Sequence, residues 1–210
     1  LNYIYCGNVV VNDCTFKGMT DDFGAISNHS YASGATSETL EQLTVYNCTF
    51  IGGRAIRSRS NVSVTNSTFR GLVIPCLQIL GLGDTDVESN VVFTGNNSDV
   101  AVSGVCIKTS NYATKNITFN VAGNTNCNII SFDGKNVNNL FPETYTFTGD
   151  VKELCPEDGK ALNFLLAQKV TDIKLLPGAK YEGTFKPVVP TTFKSLDANA
   201  KAIIAGKVQV

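Results

Sequence analysis

Tryptophan is absent from this 210-residue chain, methionine and histidine occur once each, and proline occurs six times. A single histidine excludes a metal site built on several, and leaves His29 as the sole candidate for a histidine-dependent triad. Charge is scarce too: 17% of residues are charged and the formal net charge is −1. That balance lacks the basic excess needed to neutralise nucleic-acid phosphates. No apolar run approaches the ~18 residues of a membrane helix. Seven cysteines are present without a Cys-x-x-Cys pair, which excludes zinc-ribbon and thioredoxin-type sites. Their wide spacing fits small buried side chains in a β core, with a partial set of disulfides as the alternative.

Hydrophobic residues, at 43%, are enough for a packed core. Asn, Thr and Val occur 21 times each, and Gly 18 times. Val and Thr favour strands, while Asn and Gly favour turns, so the composition predicts an all-β chain of many short strands. The chain begins Leu1-Asn2-Tyr3 without methionine, as expected of a processed product or a piece of a longer chain.

Three segments superimpose without gaps: Val9 to Gly18, Leu43 to Gly52 and Val62 to Gly71. They share V/L-x-V-x-N/D-C/S-T-F-x-G. Looser copies follow at Val91 to Asn96 and Asn116 to Asn120. Phe16, Phe50, Phe69, Phe93 and Phe119 are then 34, 19, 24 and 26 residues apart, a unit of about 19 to 26 with an insertion in the first copy. A second column sits downstream of each copy: Ala25-Ile26-Ser27, Ala55-Ile56-Arg57, Cys76-Leu77-Gln78, Cys106-Ile107-Lys108 and Asn128-Ile129-Ile130. Its alternation marks half-buried strands. No helical periodicity is sustained before residue 160, and the regular Leu spacing of leucine-rich repeats is missing.

The expected fold is all-β: a right-handed parallel β-helix solenoid over residues 1–140. A small α/β extension over 141–210 has one short helix and further strands. Stacked coils ~4.8 Å apart join equivalent residues into ladders. Phe16, Phe50 and Phe69 form a buried ladder, and Asn12 or Asp13, Asn47 and Asn66 turn the bends. Asn28 to Leu40 leaves the coil as a loop, and Gly81 to Asp86 protrudes. Cys14 and Cys48 share one repeat position, as do Cys76 and Cys106, and free thiols are expected in most of these pairs.

The segments Asn47-Cys48-Thr49-Phe50-Ile51-Gly52-Gly53-Arg54-Ala55-Ile56 and Asp22-Phe23-Gly24-Ala25-Ile26 resemble the N-C-T-F…GGAI repeats of the right-handed parallel β-helix, pectate-lyase-like superfamily, of the surface adhesin and phage fibre kind. The resemblance covers about residues 5 to 135, with a degenerate GGAI motif and no clear FxxN partner. It implies the fold; the group holds both enzymes and scaffolds. Ala161 to Gln168 reads as an amphipathic helix. Val170 to Gly183 and Thr192 to Gly206 resemble the opening phrases of β-helices, placed here at the end of the chain.

A lyase of this group needs acidic calcium ligands and an Arg or Lys base on one face. The candidates are Asp21, Asp22, Arg57 and Lys108. Ser27, Arg57, Gln78 and Lys108 share one outward column, so Arg54, Arg57, Arg59, Gln78 and Lys108 form a candidate ligand-binding stripe; a solvated face with acidic turns is the plainer alternative. Asp84, Asp86 and Glu88 read as a turn, and His29 as a loop residue. Six N-x-S/T sequons occur, at Asn28, Asn47, Asn61, Asn66, Asn96 and Asn116. The expectation is a non-enzymatic structural or adhesive protein of a virion or cell surface: a fibre, decoration or appendage subunit without cofactor. It self-associates through open β-helix ends and binds glycans. The alternatives are a polysaccharide lyase (with Ca²⁺) or glycoside hydrolase acting on an acidic polysaccharide, and a secreted ice- or glycan-binding module. Of the Thr ladders that last reading needs, only Thr15, Thr49 and Thr68 is visible.

Overall fold

The computed structural model describes residues 2–3, 7–19, 24–28, 42–59, 61–80, 88–99, 105–110, 116–133, 144–150 and 153–209. The chain is mostly strand, with one short helix among the described residues. The strands form sheets of nine, six, four and two members, and every pairing is parallel. Asn8–Asn12 joins the six-stranded sheet, Thr15–Lys17 the four-stranded sheet and Ile26–Asn28 the nine-stranded sheet. The chain repeats that order through Gln42–Tyr46, Thr49–Gly53 and Ile56–Ser58, then through Asn61–Thr65, Thr68–Leu72 and Leu77–Leu80. Glu88–Thr94, Asn97–Ser98 and Val105–Ser110 follow it once more.

Side chains alternate between the two faces of each strand, so in-register parallel pairing stacks like on like. On the six-stranded sheet the inward file is Val11, Val45, Val64, Phe93 and Val121, all buried. Three of its outward files are uncharged, and a fourth carries Glu88, paired with Asn116. One runs Val10, Thr44, Ser63, Val92, Asn120 and Thr148. A second runs from Asn8 and Gln42 to Asn61, then from Asn90 to Thr118 and Thr146, the two parts joined by the Asn90 N–H donating to Asn61 Oδ1 at 2.8 Å. The third is Asn12, Tyr46, Thr65, Thr94 and Ala122.

The bends are where the repeat places its Asn or Asp. Asp13, Asn47 and Asn66 adopt φ of 55°, 51° and 51°, a left-handed conformation that short polar side chains tolerate. Asn47 Nδ2 donates to Asp13 Oδ1 at 2.6 Å. Deeper amides join successive repeats: Asn96 Oδ1 accepts from Ser67 N–H at 2.9 Å, and Asn124 Oδ1 accepts from Asn96 N–H at 2.9 Å.

The expected Phe ladder is present. Phe16, Phe50 and Phe69 are paired in register, and their rings stack at 5.1 and 5.0 Å, nearly parallel; Phe50 and Phe69 are fully buried. Two alignments differ from the sequence pattern. Phe93 pairs with Val64, and Phe119 with Val91, so neither continues the Phe69 column. Phe93 nevertheless stacks on Phe69 at 5.9 Å, because the sheets face one interior. In the second column Ile130, not Ile129, pairs with Ile107; a β-bulge between Val105 and Ile107 shifts the register.

The helix Gly159–Ala167 begins at Asp158, whose carboxylate accepts from the N–H groups of Lys160 and Ala161 at 2.9 Å each. It buries Ala161, Leu162, Leu165 and Leu166. The nine-stranded sheet runs on around it through Glu153–Pro156, Asp172–Leu175 and Thr192–Ser195. Lys180–Phe185 and Ile203–Val208 form the two-stranded sheet. Buried Tyr181 ties the parts together: its hydroxyl donates to Pro156 O at 2.7 Å and accepts from Leu176 N–H at 2.8 Å. The loop after Asn28 and the Gly81 to Asp86 protrusion lie outside the described residues.

Candidate functional site

The outward face of the nine-stranded sheet carries the stripe read from the sequence. Ser27 pairs with Arg57, Arg57 with Gln78, and Gln78 with Lys108; the register continues to Ser131 and Cys155, but Ser27, Ser131 and Cys155 are buried, so the column is open only at the half-buried Arg57, Gln78 and Lys108. Between them lie the inward residues Ile26, Ile56, Leu77 and Ile107, which fix the file by burying their own side chains. Arg54 sits just before its strand and donates from Nη1 to Gln78 Oε1 at 3.0 Å. Arg59 follows two positions after Arg57, and all three arginines are half-buried.

Three guanidinium groups gathered on one partly dry face repel one another. Burial lowers the Arg57 pKa from its ordinary value, and the charges of Arg54 and Arg59 lower it further. The buried Nε atoms of Arg54 and Arg57 have no hydrogen-bond partner. An anion placed between them would relieve the repulsion and supply the missing acceptors.

Further along the file the charge is balanced. Lys108 Nζ lies 2.5 Å from Glu157 Oε2 and 3.7 Å from Asp133 Oδ2. Ser131 Oγ donates to Glu157 Oε1 at 2.8 Å. So the face divides into an arginine half, where Arg54 bonds Gln78, and a lysine half held by two carboxylates. Sequence reading missed Ser131, Asp133 and Glu157. Ser131 follows Ile130 as Lys108 follows Ile107, but the bulge hid that match. Asp21, Asp22, His29, Asp84 and Asp86 lie outside the described residues. Glu88 is described, with its Oε1 accepting from Asn116 Nδ2 at 3.0 Å.

Two sequons are closed by burial: Asn28 and Asn96 are 0% and 1% exposed, so neither amide is open to a glycosylating enzyme. The six described cysteines are free. Burial pushes the thiols of Cys127 and Cys155 up to about 12, and those of Cys76 and Cys106 higher still, so they stay protonated and unreactive at neutral pH. Among the described residues no group of three or more His, Cys, Asp or Glu is placed to hold a metal ion, and no helix is long and apolar enough to cross a membrane. Comparison of the chain with protein families, with curated proteins and with solved structures gave no match.

Proposed function

We propose that this chain is a right-handed parallel β-helix of the pectate-lyase-like superfamily, a non-enzymatic structural or adhesive subunit of a virion or cell surface that binds acidic glycans along Arg54, Arg57 and Gln78. The fold reading is supported by parallel pairing throughout and by the sheet order repeated along the chain. The binding reading rests on one observation: Arg57 pairs in register with Gln78, Arg54 bonds that same Gln78, and the buried Nε atoms of both arginines lack acceptors. Carboxylate or sulfate groups spaced along a polysaccharide meet that need, and bidentate guanidinium contacts give them orientation. Titration of the full chain with polygalacturonate and with a sulfated glycan tests it. Binding should weaken as salt rises, and Arg57→Gln should reduce it about tenfold. Equal binding by the wild type and Arg57→Gln contradicts the reading.

Assembly through the sheet ends belongs to the same proposal. Asn8–Asn12 is the last strand of the six-stranded sheet, with Val10 61% exposed, and Ile203–Val208 carries Ile203 54% exposed and Val208 45% exposed. Such edges template further strands, from the next subunit or from further chain. Light scattering should show association that grows with concentration; a monomer at every concentration contradicts it.

A second reading, a lyase or glycoside hydrolase, is favoured by Asp133 and Glu157 converging on Lys108. Paired carboxyl groups about one bond are the apparatus of glycoside hydrolysis. Release of new reducing or unsaturated ends from polygalacturonate, lost in Glu157→Gln, would establish it in place of the first.

A further inference from the structure

The outer face of the six-stranded sheet differs from the other two. The nine-stranded sheet shows Arg57 and Lys108 outward, and the four-stranded sheet shows Lys17 and Arg70. Three outward files of the six-stranded sheet hold no charged side chain, and a fourth carries the exposed Glu88, paired with Asn116. Water-facing sheets ordinarily carry Lys and Glu, which keep proteins soluble and apart. Among the described strand residues of this sheet the one outward charge is Glu88, at the start of its strand, which accepts from Asn116; Asp13 stands at the bend beyond Asn12.

Amides and hydroxyls fill the face instead, groups that both donate and accept. Some are oriented by the sheet itself: Gln42 Nε2 donates to Leu43 O at 2.9 Å, and Asn61 Oδ1 accepts from Asn90 N–H. Two large apolar groups stand out of this polar field, Val10 at 61% exposure and Tyr46 at 45%. An exposed tyrosine ring among amides combines an apolar platform with hydrogen-bonding groups, as a sugar ring with its C–H faces and hydroxyl rim requires.

Size decides the kind of occupant. Six strands about 4.8 Å apart make a face about 24 Å long, and three outward residues per strand make it about 13 Å wide. That is on the order of 300 Å², well under the roughly 800 Å² per partner of a stable protein complex. A narrow linear ligand fits where a folded partner does not. With Glu88 the one outward charge among the described strand residues, the face disfavours an acidic ligand and matches a neutral one.

We propose that the outer face of the six-stranded sheet is a second binding surface, for an uncharged polysaccharide lying across the strands. It is separate from the arginine file on the nine-stranded sheet and does not depend on it. The ligand's hydroxyls bond Asn, Gln, Ser and Thr side chains that repeat from strand to strand, and one sugar ring rests on Tyr46.

The experiment is a pull-down of the full chain on insoluble cellulose, chitin and a neutral β-glucan, run with Ser63→Lys, Tyr46→Ser and Arg57→Gln. Far-UV circular dichroism and thermal melts check the fold of each variant. The expected result is retention on at least one neutral polymer, unchanged at salt of about 0.5 M, where exposed ion pairs are screened. Ser63→Lys and Tyr46→Ser each weaken retention about tenfold, and Arg57→Gln leaves it intact. Should Ser63→Lys fail to fold, Tyr46→Ser alone decides. The proposal is overturned if no neutral polymer retains the protein, if the Tyr46 variant binds as well as the wild type, or if raised salt abolishes binding. It is equally overturned if Ser63→Lys instead dissociates a dimer seen by sedimentation, which would make the face a protein interface.

Discussion

The nine-stranded and six-stranded sheets share an interior and differ on their outer faces. Inward, one stacks Ile26, Ile56, Leu77 and Ile107, and the other Val11, Val45, Val64 and Phe93, all buried. Outward, one shows arginines beside a Lys108–Glu157–Asp133 cluster, and the other mostly amides, hydroxyls and a few apolar groups, with Glu88 the one charge among the described strand residues. Ladder stacking constrains the inward positions, because each must fit its partners on the neighbouring strands. Outward positions keep the same regular spacing without that constraint, so each face can carry its own chemistry.

The sharpest contrast is between an inward and an outward substitution on neighbouring strands. Phe50→Ala should cost about 3–5 kcal/mol and lower Tm by about 10 °C, because the stacked rings of Phe16 and Phe69 cannot close the cavity. Thr44→Ala, outward, should stay within about 0.5 kcal/mol. Comparable losses by thermal melting would break the division into structural and free positions.

The buried thiols make the stability of the interior depend on alkaline pH. Burial raises the Cys127 thiol from its ordinary 9.0 to about 12, and Cys155 likewise. A folded-state pKa above the unfolded one gives stability that is complete below pH 9 and is lost as pH rises toward 12, because the unfolded thiol ionises first. Melting temperature should therefore hold between pH 7 and about 8.5 and fall beyond pH 9. Replacing Cys127 by Ala should flatten part of that fall, and an alkaline profile identical to the wild type's would contradict the assignment.

A smaller effect is expected at the bends. Asn66 holds φ of 51°, so Asn66→Ala should cost about 1 kcal/mol and Asn66→Gly close to nothing. Chemical denaturation separates the two. If Ala and Gly are equivalent there, the left-handed bend is not what selects the residue.

What could be read from the sequence follows the same division. The gapless copies identified the strand pairs of the first repeats, the Phe16–Phe50–Phe69 ladder, the Asn and Asp bends and the Ser27–Arg57–Gln78–Lys108 file. There the local alternation and the long-range register agree. Beyond Leu80 they part. Alternation says which residues point inward, but any sheet facing the shared interior can accept a Phe, so Phe93 looked like a partner of Phe69 while pairing with Val64. A bulge leaves alternation almost unchanged and moves the register by one, which concealed Ser131. Asp133 and Glu157 meet Lys108 only through that register, and no local pattern marks them. The charge-poor face was equally hidden, since it is a scarcity spread over six separated segments.

The most direct test of the account measures both faces together. Wild type, Arg57→Gln and Ser63→Lys are each titrated against one acidic and one neutral polysaccharide under the same conditions. The account predicts that Arg57→Gln loses the acidic ligand alone and Ser63→Lys the neutral ligand alone. A wild type that binds neither polymer, or a single substitution that abolishes both interactions in a folded protein, would contradict the claim that the two sheets present independent binding faces.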